Sequence, residues 1–140
     1  MTYVIIYDNI LIYYRGGERL EWEVEFYKQS NGKIPAVEFL LTLSPKIRAK
    51  TFSEIELLKK HGNKLREPYV KSIKGDKYSG MFELRTKFGT DINRIFYFTW
   101  SNNTFVLLNG FTKKSDGMSK RELDKALRYK QDYERRCEDE

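Results

Sequence analysis

The stretch that decides the fold reads MFELRTKFGTDINRIFYFTW over residues 81–100. Two runs rich in aromatic and β-branched residues flank Gly89, Thr90 and Asp91, and this pattern indicates two antiparallel strands joined by a turn. The second run is apolar at successive positions, which is typical of a central strand with both faces covered. We therefore place this hairpin at the centre of the fold and interpret the other elements around it.

The hairpin carries positive charge where a small domain usually packs apolar side chains. With a symmetrical turn, Arg85 lies directly opposite Arg94. Like charges in this position are destabilising unless carboxylates pair with them or a bound phosphate bridges them. Glu83 shares a face with Arg85. Two alternatives follow: a wet sheet face held by an Arg85–Glu83 or Arg94–Asp91 ion pair, or an anion-binding site.

Further cations surround this pair of arginines in the sequence. Lysines, arginines and tyrosines on one sheet face bind a phosphate backbone and stack bases. Lys87 lies opposite Ile92 in the same register, and Tyr78 and Tyr97 are close in sequence. The sequence therefore predicts an RNA-binding surface with the candidates Lys71, Lys74, Lys87, Lys113, Lys114, Lys120 and Arg121.

Two helices are predicted before the hairpin. Pro35 suits the first turn of the first helix, and Ser44 followed by Pro45 caps the second. Gly62 is typical of a C-terminal stop for the second helix. The apolar face of that helix is predicted to contain Ile47, Phe52, Ile55 and Leu58.

Strands and a last helix account for the remaining elements. Residues 2–14 hold two β-rich runs around Asp8 and Asn9, which predicts a hairpin with an Asx-type turn. Residues 21–27 alternate as a half-buried strand does, and Ser119 caps a last helix over residues 120–136. We expect this helix to turn Leu123, Ala126, Leu127 and Tyr133 inward. The order predicts an α+β fold: a largely antiparallel sheet with two helices before it and a C-terminal helix.

The one break in composition is the segment RGGER at residues 15–19. It divides the chain into an N-terminal extension or hairpin (1–19), a single domain (20–136) and a charged tail (137–140). The extension has two explanations. It is a hairpin that docks on the sheet edge or binds a partner. Alternatively, the gene start is over-called, because Arg-Gly-Gly-Glu can be encoded by a ribosome-binding AGGAGG and Leu20 by a UUG start codon.

Composition restricts the class of protein. The 140 residues suit one domain, and 40% hydrophobic with 33% charged residues indicates a soluble globular chain. A net charge of +6 favours a polyanionic partner. The sequence lacks an apolar run of membrane-spanning length and a signal-peptide pattern. Cys137 is the single cysteine, which excludes a disulfide framework and fits a reducing cytoplasm.

Several chemistries have little support in the sequence. The single histidine, His61, precedes Gly62 at a helix end, where it suits a capping role; a histidine-pair ribonuclease needs a second histidine. No glycine-rich phosphate loop is present, and no serine or cysteine has a plausible base partner. Acidic residues are scattered, which disfavours a two-metal nuclease. We expect neither a metal nor a cofactor.

The segment from Gly80 onward resembles a known family. The segments YSGMFELRTKFGTDINRIFYF, VLLNGFTKKS and SKRELDKALRYKQDYERR resemble the RelE/HigB superfamily of bacterial toxins, in particular its phage-protein-like HigB branch. WEVEFY and VKSIKGDKYSGMFELR fit the same pattern, so the resemblance covers residues 20–136. The combined order is specific, although any single piece is weak.

The resemblance implies a RelE-like fold and the toxin of a type II toxin–antitoxin pair. Such toxins are metal-independent endoribonucleases that cleave mRNA on the ribosome and inhibit translation, and in this branch the antitoxin typically has a helix-turn-helix fold. Arg94 of NRIFY matches the family's phosphate-contacting arginine. Arg85 of ELR matches the basic residue on the preceding strand, and Lys113 or Lys114 of FTKK matches the basic position that ends the last strand.

The general base stays open at this stage. Met81 and Glu83 stand where RelE has lysines just before its Leu-Arg pair. Glu83 is either the base or the salt-bridge partner of Arg85, and the second alternative is favoured because an adjacent arginine lowers a carboxyl pKa. The loss of the two lysines also leaves a second hypothesis: a non-catalytic nucleic-acid- or protein-binding module on the same fold.

Overall fold

The computed structural model describes residues 2–7, 10–16, 18–19, 22–101, 103–113 and 119–139, and it shows one sheet with helices on both faces. The strands in the described residues are β1 (Thr2–Tyr7), β2 (Ile10–Arg15), β3 (Glu18–Arg19), β4 (Glu23–Phe26), β5 (Val70–Ser72), β6 (Met81–Phe88), β7 (Asp91–Trp100) and β8 (Thr104–Lys113). The helices are α1 (Pro35–Thr42), α2 (Pro45–His61) and α3 (Lys120–Glu138). The predicted α+β class is confirmed.

The sheet is antiparallel except for one pair of strands. Within the described residues its order is β1-β2-β4-β8-β7-β6-β5, and β3 pairs with β2 off this path. Only β4 and β8 are parallel among these strands. β2 pairs with β4 through Ile10 and Leu11, so the N-terminal strands continue the sheet at its edge. The predicted Asx-type turn at Asp8 and Asn9 lies outside the described residues, as does Leu20.

The β6–β7 hairpin has the predicted register. Arg85 is the Cα partner of Arg94, and Lys87 is the partner of Ile92. The two-residue connection begins with Gly89, whose φ of 62° lies in the left-handed region that glycine adopts at low cost. The strand β7 is buried from Ile92 to Phe98, as predicted for a central strand.

Two separate cores cover the faces of the hairpin. The α1/α2 face contains Leu84, Ile95 and Tyr97 among other apolar residues. The α3 face contains Phe96 and Phe98, with Leu123 and Ala126 of α3 packed against the sheet. Because successive strand residues point to opposite faces, neighbouring residues of β7 serve different cores.

The predicted caps are confirmed, and one predicted core residue is wrong. Ser44 accepts from the backbone of α2, Ser119 accepts from that of α3, and the Gly62 N–H donates to the Leu58 carbonyl. Phe52 is 39% exposed, whereas Thr51 and Glu54 are buried. Thr51 is four residues before the fully buried Ile55 and shares its helix face, whereas Phe52 lies about 100° further around the helix, a step set by 3.6 residues per turn.

Candidate nucleic-acid interface

The cations of the hairpin lie on the α3 face, at the end nearest the turn. Arg94 is flanked by Arg85 on β6 and by Phe111 on β8. One step closer to the turn, Ile92 is flanked by Lys87 and Lys113. The three-strand register therefore brings residues from distant parts of the sequence to one side of the sheet. We call Arg85, Lys87, Arg94 and Lys113 the cationic cluster.

Glu83 lies beneath this cluster and connects its two arginines. Its Oε1 is 3.3 Å from Arg85 Nε, and its Oε2 is 3.4 Å from Arg94 Nε. The side chains of Glu83 and Arg94 are 2% and 1% exposed, while that of Arg85 is 15% exposed. The predicted Arg85–Glu83 pair is confirmed, and Arg94 pairs with this same carboxylate. A shared carboxylate offsets the repulsion of the opposed arginines.

A β-bulge brings an aromatic ring against Arg94. Between the pairs Tyr97–Leu107 and Ile95–Gly110, β8 contains one residue more than β7. This extra residue shifts the alternation along β8 by one position, so that Phe111 faces the α3 side. The Arg94 guanidinium carbon lies 5.7 Å from the Phe111 ring centroid. The ring packs against Arg94, whose side chain is 1% exposed.

A small cavity opens beside the more exposed part of the cluster. It has a volume of about 220 Å³ and is lined by Pro68, Arg85, Lys87 and Ile92. Two of these four residues, Arg85 and Lys87, are cationic. Arg85 is the more exposed of the two arginines in the cluster. The cavity is large enough for a phosphate group, and its lining can hold such a group by charge and hydrogen bonds.

α2 holds the hairpin end from the opposite face. Lys50 Nζ donates to the Lys87 carbonyl oxygen at 2.5 Å, and Lys46 Nζ lies 5.7 Å from the Phe88 ring centroid. These contacts fix the backbone of β6 where it presents Lys87 to the cavity. Sequence reasoning did not find them, because they join segments that are far apart in the chain.

The other predicted RNA contacts occupy several places. Lys71 is the Cα partner of Glu83, so it borders the cluster on the same face. Lys74 is exposed in the loop after β5, at the end of β6 far from the turn. Lys120 and Arg121 are exposed in the first turn of α3. Lys114 lies outside the described residues, so its prediction as an RNA contact stays a prediction.

The two tyrosines near the hairpin do not join the cluster. Tyr97 is 3% exposed in the α1/α2 core, and burial raises its pKa. Tyr78 donates to Asp124 Oδ1 of α3 at 2.5 Å, and this hydrogen bond raises the pKa of Tyr78 and lowers that of Asp124. Lys77 Nζ is 3.3 Å from the same carboxylate. Tyr78 therefore anchors α3 to the sheet.

Comparison with known proteins identifies the family. The family described as phage derived protein Gp49-like (DUF891) matches residues 38–131, which is more than half of the chain. The chain belongs to the Gp49-like family. This is a RelE/HigB-like family of toxin type, and membership in it suggests a toxin-like module. No curated protein is similar enough to count as a relative.

The family match contains the whole cationic cluster and Glu83. His61 of the Gp49-like protein is exposed at the end of α2, on the last turn before the Gly62 cap. In the described residues, no three His, Cys, Asp or Glu side chains form a group that could hold a metal ion. None of the helices in the same residues is long and apolar enough to cross a membrane.

Sequence reasoning missed two residues of the interface. Pro68 forms a wall of the small cavity, and Phe111 covers Arg94. The signal for Phe111 is the NGF segment of β8, where a glycine in a strand often marks a bulge. For Pro68 the sequence contains no comparable signal, because its position depends on how the segment after α2 returns to the sheet.

Proposed function

We propose that this Gp49-like protein is the toxin of a type II toxin–antitoxin pair. In this proposal it acts in the cytoplasm as a ribosome-dependent, metal-independent endoribonuclease that cleaves mRNA and inhibits translation. The observation that carries the proposal is the register of β6, β7 and β8, which puts Arg85, Lys87, Arg94 and Lys113 on one sheet face. A cavity of about 220 Å³ beside them is suited to a phosphate.

RNA cleavage without a metal requires three events: loss of the 2′-OH proton, stabilisation of charge on the phosphate, and departure of the 5′-oxygen. Arg85 serves the second event, because a guanidinium binds phosphate in a fixed fork and remains charged. Lys87, Lys113 or Lys114 donates a proton to the leaving oxygen. The ribosome contributes by positioning the mRNA.

Arg94 and Glu83 act from below the phosphate in this proposal. Arg94 is 1% exposed and Glu83 is 2% exposed, and each carboxylate oxygen lies within 3.4 Å of an arginine nitrogen. Glu83 is therefore the structural partner of the arginines rather than the general base. Arg94 is a positioning residue that fixes Glu83, which in turn fixes Arg85. Lys71, Lys74, Lys120 and Arg121 extend the charged surface for the remaining phosphates.

The test compares growth, translation and mRNA integrity after induced expression in a bacterium that lacks the antitoxin. We expect the wild type to arrest translation and yield cleaved mRNA. Arg85→Ala should reduce cleavage by at least about 100-fold, the typical cost of losing one transition-state donor. Arg128→Ala, which removes an exposed arginine of α3, should retain cleavage. A folded wild-type protein that leaves mRNA and translation intact would overturn the enzyme proposal.

One observation favours a second candidate function. Glu83 neutralises part of the arginine charge from within. A non-catalytic module that binds nucleic acid or protein would retain this arrangement without cleaving its ligand. Salt-dependent binding of an RNA oligonucleotide that stays intact with ribosomes present would support this candidate.

The proposed partner is an antitoxin of helix-turn-helix type. A short neighbouring gene encoding such a protein is expected, and its co-expression should restore growth. Growth arrest that persists although the two proteins form a complex would contradict the pairing.

A further inference from the structure

A second and larger cavity lies on the opposite face of the hairpin from the cationic cluster. It has a volume of about 590 Å³, which is within the usual range of small-molecule sites. Its floor contains Phe82 and Tyr97, whose stacked rings have centroids 5.6 Å apart and an interplanar angle of 24°. Leu65 and Val70 add apolar wall. Aromatic and apolar side chains of this kind can pack against a planar ring.

A tyrosine adds a polar group to the lining of this cavity. Tyr97 lines it while being 3% exposed. Burial raises the pKa of Tyr97, and no hydrogen bond or charge from the described residues acts on that hydroxyl. A tyrosine hydroxyl can donate to an acceptor atom on a bound ring. Asn63, Ser72 and Thr99 supply further polar groups, so the lining suits a ring that carries nitrogen or oxygen atoms.

A fixed arginine lies at the rim. Arg66 lines the cavity and is exposed to solvent. Its Nη1 donates to the backbone carbonyls of Asn63 and Leu65, and these bonds hold the guanidinium beside the opening. A guanidinium in this position binds a carboxylate or phosphate with a fixed geometry.

We propose that this cavity is a nucleotide-binding site, with the base on Phe82 and Tyr97 and the phosphate on Arg66. It is separate from the cationic cluster, because Phe82 and Tyr97 belong to the α1/α2 core whereas Arg85 and Arg94 are on the α3 face. The shared chemistry is a planar heterocycle joined to an anion. A free nucleotide and the end of a nucleic-acid strand both provide it.

Calorimetry on the full chain tests the recognition of both halves of the ligand. We expect AMP to bind with a dissociation constant below about 1 mM, which corresponds to about 4 kcal/mol. Adenosine, which lacks the anion, and ribose 5-phosphate, which lacks the base, should each bind at least tenfold more weakly than AMP. Ribose 5-phosphate binding as tightly as AMP, or no AMP binding at this concentration, would overturn the proposal.

Variants and amide chemical shifts locate the binding. Tyr97→Phe keeps the ring and should weaken AMP about fivefold, the loss expected for one neutral hydrogen bond. Arg66→Gln should weaken AMP by about tenfold or more, as for a charge-assisted bond. Arg128→Gln is the matched control and should leave binding unchanged. Shifts at Arg85 and Lys113 instead of Phe82 and Thr99 would place AMP in the cationic cluster and refute the second site.

A short adenylate strand distinguishes the two sources of the ligand. A tetranucleotide that displaces AMP and binds at least tenfold more tightly supports a strand end as the ligand. Equal affinity for AMP and the tetranucleotide supports a free nucleotide. Because none of these measurements uses RNA cleavage, failure of the proposed endoribonuclease activity would leave their interpretation unchanged.

Discussion

The two faces of the β6–β7 hairpin are made from alternate residues of the same strands, yet their buried polar side chains are paired in different ways. On the α2 face, Thr86 donates to Glu54 Oε2 at 2.7 Å, and Thr112 donates to Asn93 Oδ1 at 2.6 Å. On the α3 face, Glu83 connects Arg85 and Arg94. One face carries neutral hydrogen-bond donors paired with oxygen acceptors, and the other carries a group of three charges.

The difference follows from how far each helix reaches along the hairpin. α2 contacts the end near the turn through Lys46 and Lys50. The apolar layer under α3 includes Phe96 and Phe98, which lie further from the turn. The end of the α3 face nearest the turn therefore lies beyond this apolar layer, and the cationic cluster occupies it. A ligand reaches this end through the partly exposed Arg85, which lines a cavity.

The largest expected effect comes from removing the buried cation. Arg94→Ala leaves Glu83 buried with one ionic partner fewer, so we expect the free energy of unfolding to fall by about 3–5 kcal/mol. Its matched control on the opposite face is Ile95→Val, which should cost about 1 kcal/mol. Urea unfolding measures both. Equal losses would show that the Glu83 bridge adds nothing to the fold beyond ordinary packing.

An intermediate effect should distinguish the two faces as RNA-binding surfaces. Lys113→Gln removes a cation from the α3 face, and Lys46→Gln removes an exposed one from the α2 side of the same hairpin end. We expect the first to weaken binding of single-stranded RNA by about three- to tenfold and to reduce the salt slope by about 0.7. The second should change neither. Equal losses in a salt titration would indicate diffuse attraction to a basic protein.

The smallest expected effect concerns the polar pair under α2. Burial is the main cause of the raised pKa of Glu54. The folded protein thus binds this proton more tightly than the unfolded chain does. The contribution to stability is fully present below the unfolded pKa and is lost as pH rises through the folded pKa.

Replacing Glu54 removes this dependence on pH. Glu54→Gln should be more stable than the wild type by about 0.5–1 kcal/mol at about pH 7, and the advantage should vanish near about pH 4. Thermal unfolding at the two pH values checks this. An advantage of the same size at both would mean that packing, rather than the proton, causes it.

Sequence reasoning succeeded where the cause is local. The turn at Gly89 and strand alternation predicted the Arg85–Arg94 pairing, and the serines before α2 and α3 predicted the caps. It failed for Phe52, because helical spacing identifies a face only roughly and the sheet decides which edge is covered. Pairing patterns suggested a carboxylate for Arg85, but they did not indicate that one carboxylate serves both arginines.

The sequence by itself determined the order of the elements, the central hairpin, its register and its excess of positive charge, since these depend on alternation, turn residues and caps within short segments. Only the tertiary structure decided that Phe111 covers Arg94 and that Lys113 stands beside Ile92, because a bulge in β8 sets that alignment. The tertiary structure alone likewise decided how deeply each of the two arginine side chains is buried. A side chain's exposure depends on neighbours from distant segments, and these neighbours leave Arg94 1% exposed but Arg85 15% exposed.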